Sequence, residues 1–359
     1  MNLLPLVTIN AILLVILIVL TVFERVFLRY GDCKITINGE KVLTVKGGEN
    51  LLQALAAHKI YIPSACGGKA TCGHCKVQVT AGGGPILPTE EIFITGEQKA
   101  IGMRLACQVK IKENLEIVIP QHILETKEYA AVVEKKISVT HDIVEITLAL
   151  RDPDRISFRP GQYMQFLVPG ANEYRAYSIA SQPSLGSRIK LLIRLVPGGL
   201  CSTYIHKVLS VNDAVTLTGP YGEFFLQENS TRSIICIAGG CGMAPIQSIL
   251  QHEVERNMPR AFLFFFGART PKDLFYTESL RELEKRFPNF QYIPALSEKD
   301  ESGAWDGETG LVTEVVAKHL TDGSNFEAYM CGPPPMIDAA TVVLKNKGID
   351  ESRIYYDKF

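Results

Sequence analysis

Three thiols fall within the stretch Cys66-Gly-Gly-Lys-Ala-Thr-Cys72-Gly-His-Cys75, and a fourth follows in Arg104-Leu-Ala-Cys107-Gln-Val109. The spacing is C-x5-C-x2-C, then 31 residues, then C. Four thiolates, three from one glycine-rich loop and one remote, are the ligand set of a [2Fe-2S] cluster, whose plant-type spacing is C-x4-C-x2-C with a distant fourth Cys. This loop is one residue longer between its first two ligands. Gly67, Gly68 and Gly73 allow the backbone to wrap closely and turn N–H groups toward cluster sulfurs. A structural zinc site is the rival, but zinc favours paired short knuckles and only one is present. A Rieske centre would use Cys72-Gly-His74 and needs a second Cys/His pair, which Cys107-Gln-Val-Lys110 lacks. Cys66, Cys72, Cys75 and Cys107 are therefore expected to hold the metal, with His74 as a solvated neighbour that tunes its potential.

A second group of residues suits phosphates and rings. In Arg175-Ala-Tyr177-Ser178, an arginine can hold a pyrophosphate bidentately, an aromatic ring can lie on a flavin, and a hydroxyl can hydrogen-bond beside it. A barrel strand with a surface arginine is the bland alternative. Pro197-Gly-Gly199-Leu-Cys201-Ser202-Thr203 places two glycines before a helix start, with hydroxyls in its first turn, as an anion at a helix N-terminus requires. Gly219-Pro-Tyr-Gly-Glu-Phe224 follows. Gly239-Gly240-Cys-Gly242-Met-Ala-Pro245 departs from G-x-G-x-x-G, yet its glycines still let backbone approach a pyrophosphate, and Pro245 suits a first helical turn. Gly267-Ala-Arg269 and Cys331-Gly332-Pro-Pro-Pro-Met336 end two further strands, where an open α/β sheet faces its ligand.

These residues need elements to position them. A chain of 359 residues, 47% hydrophobic, holds two or three packed domains. The net charge of −1 gives no long-range attraction for nucleic acid. The other five cysteines (Cys33, Cys201, Cys236, Cys241, Cys331) form no disulfide framework and fit a reducing compartment. Residues 1–23 carry no charged side chain, and 11–20 are wholly apolar. Residues 1–25 are expected to be a single-pass helical anchor in the lipid bilayer. A signal peptide would place its basic residues before the apolar run, and a buried soluble helix would need a matching apolar shell. Arg25 and Arg29 come after the run, which puts the rest of the chain on the cytoplasmic face of the inner membrane.

Residues 33–122 read as a cluster domain, with a hairpin around Asn38-Gly39, a helix capped by Asn50, and strands at 76–79 and 115–119. Residues 128–228 read as a small antiparallel barrel, with strands at 139–150, 160–168, 188–196 and 214–218. Residues 231–359 alternate strand and helix, as in a five-stranded doubly wound parallel sheet.

The cluster loop and Arg104-Leu-Ala-Cys-Gln-Val109 resemble the β-grasp ferredoxin module of the F subunit of the Na+-translocating NADH:quinone reductases. The flavin and nicotinamide motifs, in this order, resemble the ferredoxin–NAD(P)+ reductase superfamily. That resemblance covers the chain from the anchor onward and implies FAD, NADH and a [2Fe-2S] cluster as cofactors. It places Arg175, Tyr177, Ser178, Gly199, Cys201, Ser202 and Thr203 at FAD. It places Gly239, Gly240, Gly242, Pro245, Arg269 and Gly332 at the dinucleotide, with Ser178, Cys331 and Phe359 nearest the reacting rings. NADPH-selective relatives put an Arg after the Ser of Leu296-Ser297-Glu298, so Glu298 implies NADH. The implied flow runs from NADH to FAD, to the cluster, to membrane-embedded acceptor subunits linked to quinone and sodium transport. Only six residues separate the strand ending near Val168 from Arg175, where the F subunit carries a longer insertion. That short loop is more similar to reductases of oxygenases, so a membrane oxygenase or desaturase stays open as the acceptor. A redox-sensing or assembly subunit is the reading from another class.

Overall fold

The structure, a computed structural model, describes residues 4–27, 30–171, 173–300 and 303–359. The chain divides into two compact units, Met1–Thr126 and Lys127–Phe359.

The first unit opens with the helix Leu4–Phe27, whose described side chains, at 8–19, are all exposed. Among the described residues no helix is long and apolar enough to cross a membrane. The expected anchor of 1–25 lies partly outside them, because residues 1–3 and the side chains of 4–7 and 20–25 are not described. The ferredoxin-like part is a sheet of β1 (Asp32–Ile37), β2 (Lys41–Lys46), β3 (Lys76–Ala81), β4 (Met103–Leu105) and β5 (Leu115–Val118), in the order β2-β1-β5-β3-β4. The β1–β2 hairpin turns at Asn38 and Gly39, with φ of 53° and 75°, the left-handed pair that matches the strand twist. Asn50 caps the helix Leu51–Ala57 by accepting from Gln53 N at 2.9 Å. Leu51, Ala54 and Leu55 of that helix pack into the same core as Ile35, Val77 and Ile117 of the sheet.

The second unit begins with β6 (Lys127–Ser138), β7 (Ile143–Asp152), β8 (Tyr163–Val168), β9 (Glu173–Ser178), β10 (Arg188–Arg194) and β11 (Ala214–Tyr221). They run antiparallel in the order β10-β7-β6-β11-β8-β9. An antiparallel bridge between Ile179 and Leu191 joins the two edges, so the sheet closes as a barrel and leaves little open edge.

Six parallel strands follow: β12 (Ser233–Gly239), β13 (Phe262–Ala268), β14 (Phe290–Leu296), β15 (Glu308–Thr309), β16 (Phe326–Gly332) and β17 (Ile354–Lys358). Their order is β15-β14-β13-β12-β16-β17, which corrects the expected five strands to six. The added strand, β15, has two residues, too few to carry a periodic signal. The chain leaves β12 between neighbours that come from opposite directions in sequence. This is the switch point at which such sheets open a crevice.

Candidate functional site

The cluster loop is built by curling backbone. Gly68 N donates to the buried Ser64 hydroxyl at 3.1 Å, which pins the loop's start. Gly73 lies between Cys72 and Cys75 at φ 68°, and a Cβ there would fall 2.5 Å from the Phe93 ring, so only glycine fits without displacement. Pairing of β3 with β4, Lys76 opposite Leu105, brings Cys75 beside Cys107. Ala106 N donates to Cys75 O at 2.8 Å.

The four sulfurs fall into two pairs. Cys66 and Cys72 are 3.4 Å apart, and the Cys75 and Cys107 thiols lie close enough to shift each other's ionisation. Contact with Cys72 pushes the Cys66 thiol down to about 4, and contact with Cys75 pushes Cys107 down to about 7. The partners Cys72 and Cys75 are raised, first by those contacts and then by burial. Among the described residues no three ligating groups converge to hold a single metal ion. Two sulfur pairs fit a binuclear [2Fe-2S] centre with two thiolates per iron, whereas a tetrahedral zinc site gathers all four ligands at one point. Gln108 Nε2 lies 3.8 Å from Cys107 Sγ, a donor aimed at a ligand sulfur.

In the barrel, β9 carries Arg175, Tyr177 and Ser178. The Arg175 guanidinium is held by Glu173 at 2.6 Å and by Tyr174 O at 2.8 Å. Tyr177 packs on the barrel core near the Cys201 thiol, and burial raises its phenol well above the ordinary value. Burial likewise raises Cys201. Gly199 caps the helix Leu200–Lys207. Ser202 is buried, and its hydroxyl accepts from Val196 N at 3.1 Å, so it closes the glycine loop from within; Thr203 N donates to Gly199 O at 3.0 Å.

At the switch point, Gly239 ends β12, Gly240–Gly242 make a 3-10 turn, and Pro245 sits in the first turn of the helix Met243–Glu255. A Cβ on Gly242 would fall 1.9 Å from Cys331 O, so the loop passes hard against the end of β16. Cys331 itself is fully buried, and burial pushes its thiol up. The residue expected nearest the nicotinamide thus packs as a small apolar side chain. Gly332, at φ 154°, ends β16 beside Lys358 of β17. Phe359 N donates to Gly332 O at 3.4 Å, and the Phe359 side chain is 57% exposed.

Sequence reasoning missed Arg194. It ends β10, pairs with Asp142 at 3.0 Å, and sets its guanidinium 2.6 Å from where a Gly240 Cβ would lie. A cation from the barrel is thereby set against the glycine loop of the parallel sheet. The only local signal was a basic residue just before Pro197-Gly-Gly199.

Residues 35–112 match the family model of the 2Fe-2S iron-sulfur cluster binding domain, 130–226 the oxidoreductase FAD-binding domain, and 236–341 the oxidoreductase NAD-binding domain. The cofactors are therefore a [2Fe-2S] cluster, FAD and NADH. The F subunit of the Na+-translocating NADH-quinone reductase of Neisseria meningitidis is 35% identical over 395 aligned positions, covering 98% of this chain and 97% of that protein. The alignment is longer than the 359-residue chain, so the relative carries residues that this one lacks. Among solved structures, the Amycolatopsis cytochrome P450 reductase GcoB is similar at a TM-score of 0.74 and 27% identity, covering 91% of this chain and 98% of that one. The ferredoxin reductase in carbazole 1,9a-dioxygenase has a TM-score of 0.71 and 26% identity, with the same coverage.

Proposed function

This chain belongs to the family of F subunits of the Na+-translocating NADH-quinone reductases, and from that premise we propose that it is the NADH-oxidising input module of a membrane quinone reductase. The observation that carries this reading is the 35% identity, which spans 98% of the chain. FAD and the [2Fe-2S] centre, when bound, would supply hydride acceptance from NADH and one-electron release, turning a two-electron donor into one-electron steps.

The chain's own residues supply binding and orientation. Tyr177, on the barrel core, offers a ring for the flavin, and Ser178 a hydroxyl at the strand end. Arg175, with Gly199 and the start of the helix Leu200–Lys207, suits the flavin's pyrophosphate. Gly239, Gly240 and Gly242 give NADH a backbone cradle, and Gly332 opens the end of β16 to the nicotinamide. Hydride transfer needs close stacking more than an acid or base, so none is assigned. Cys66, Cys72, Cys75 and Cys107 hold the cluster and tune it through donors such as Gln108.

The helix Leu4–Phe27 is read as the anchor. It is apolar through 11–20, its described side chains are exposed, and Arg25 follows the run. The module then sits on the cytoplasmic face of the inner membrane, beside membrane-embedded acceptor subunits that couple electron flow to sodium transport. A chain beginning at Gly31 should be soluble and reduce ferricyanide with NADH, yet lose quinone reduction when added back to native membranes. Full quinone reduction by the shortened chain would refute the anchor.

A second reading, a reductase for an oxygenase, is favoured by the likeness to the P450 and carbazole-dioxygenase reductases and by the short loop before Arg175. Copurification from native membranes separates the two: quinone-reductase subunits support the first, an oxygenase the second. Steady NADH–ferricyanide turnover would count against a mere sensor or assembly subunit.

A further inference from the structure

We propose that a cavity at the back edge of the parallel sheet binds a small soluble ligand carrying two or more phosphates, at a site separate from the redox cofactors. The cavity has a volume of about 830 Å³, and Arg159, Arg232 and Arg353 line it together with residues 227–230. It lies at the amino ends of β12, β16 and β17, where Arg232, Glu327 and Arg353 stand. The glycine loop and Gly332 sit at the opposite, carboxyl ends of β12 and β16, about 20 Å away along strands of seven residues. A dinucleotide on that edge leaves this one free.

Three separate elements each contribute one guanidinium. Arg159 comes from the barrel, in the loop before β8. Arg232 comes from the link between barrel and parallel sheet, and Arg353 from the turn before β17. Among the described residues, none of the three has a carboxylate within ion-pair distance. Arg159 is set in place by its guanidinium carbon, 3.3 Å from the centroid of the Phe225 ring. Arg353 is set by donating to Ser324 O at 2.8 Å. Each still has N–H groups to spare, since a guanidinium carries five.

The acids of the cavity are already engaged. Glu327 accepts from Arg260 at 2.8 Å and from the Tyr329 hydroxyl at 2.7 Å. Asp350 accepts from Ser352 N at 2.9 Å and from the Ser352 hydroxyl. Glu228 lies 3.8 Å from His252. Each acid thus has a partner of its own, whereas no arginine of the three has an acidic one, and the cavity selects an anion. Planar guanidinium forks match phosphate oxygens in pairs, and three forks around one space are filled by more than one phosphate. The volume suits a small molecule, and Tyr355, stacked on Tyr329 with ring centroids 5.2 Å apart, gives the wall an apolar face. A ligand held from three elements would tie the barrel to the parallel sheet.

The test uses the full chain carrying FAD and cluster, with inorganic tripolyphosphate as probe, in titration calorimetry and thermal unfolding at fixed ionic strength. One equivalent should bind and raise the melting temperature, as a ligand specific to the folded state does. Arg159→Gln combined with Arg353→Gln should weaken binding by at least about tenfold, while KM for NADH stays within about twofold. Arg232→Gln alone, at an exposed position of the link, should weaken it by about threefold or more, and decides the matter if the double variant unfolds. Three results would overturn the site: no binding to the unsubstituted chain, undiminished binding in the variants, or displacement of the probe by NAD+, which would assign it to the dinucleotide edge. An equal response to sulfate would overturn it too, by showing ionic screening only.

Discussion

The phenol of Tyr276 donates a hydrogen bond to the buried carboxylate of Glu145, joining residues 131 positions apart in the chain. Glu145 lies on β7 of the barrel, and Tyr276 caps the helix Thr277–Arg286 of the parallel-sheet part. Tyr276 holds this position at φ 60°, a left-handed conformation that costs an aromatic residue about 1–2 kcal/mol. Burial, and then the charge of Glu145, raise the Tyr276 phenol, which keeps it protonated as a donor. Lys190 Nζ approaches the other side of the carboxylate at 3.5 Å.

Tyr276→Phe keeps the ring and removes the donor, leaving a buried carboxylate oxygen short of a partner. The expected loss of stability is about 1–3 kcal/mol. Flavin reduction by NADH should also slow, because the tie joins the flavin and nicotinamide parts. Denaturant unfolding and stopped-flow absorbance measure the two; if neither changes, the tie has no role.

Cys72→Ser should abolish the iron–sulfur absorbance while NADH still bleaches the flavin, because the cluster lies in the unit 1–126 and both nucleotide sites in 127–359. Undiminished iron and sulfide in the purified variant would remove Cys72 from the ligand set.

Glu90 should contribute to the acid sensitivity of the first unit. Burial alone would raise its carboxyl, but Arg104, at 3.0 and 2.7 Å, and the N–H groups of Leu87 and Leu105, both at 2.9 Å, carry it below the ordinary value. A pKa lower in the folded than the unfolded state adds stability above the unfolded value, about 4.3, and that stability is lost as pH falls through the folded value. Glu90→Gln should cost about 3 kcal/mol at neutral pH and flatten the acid limb of stability. Parallel acid limbs for the two proteins in circular dichroism would show that Glu90 does not titrate there.

Phe359 ends the chain beside Gly332 with its ring open to solvent. An apolar ring at this strand end can cover the flavin until NADH displaces it. Phe359→Ala should alter the flavin spectrum and the NADH affinity while FAD stays bound. An unchanged spectrum and affinity would make the residue a bystander.

Local chemistry was legible in the sequence because each signal lies in a few adjacent residues. The cysteine spacing specifies a four-thiolate site, Asn38-Gly39 specifies a tight turn, and Asn50 specifies a helix start. The apolar runs of β12, β13 and β16 specify strands buried on both faces. The strand Lys127–Ser138 was missed because its interrupted alternation reads as polar loop, and pairing with β7 and β11 is what makes it a strand.

Tertiary structure alone decided what these elements bring together. Strand order sets Arg269 against Glu298 and Gly242 against Cys331, barrel closure carries Arg194 to Gly240, and packing aims Tyr276 at Glu145. It also turned Cys331 inward and Ser202 toward its own loop. Propensity and spacing act over a few residues, while these contacts depend on which distant strands pair and in what register, and register is set by the packing of the whole sheet.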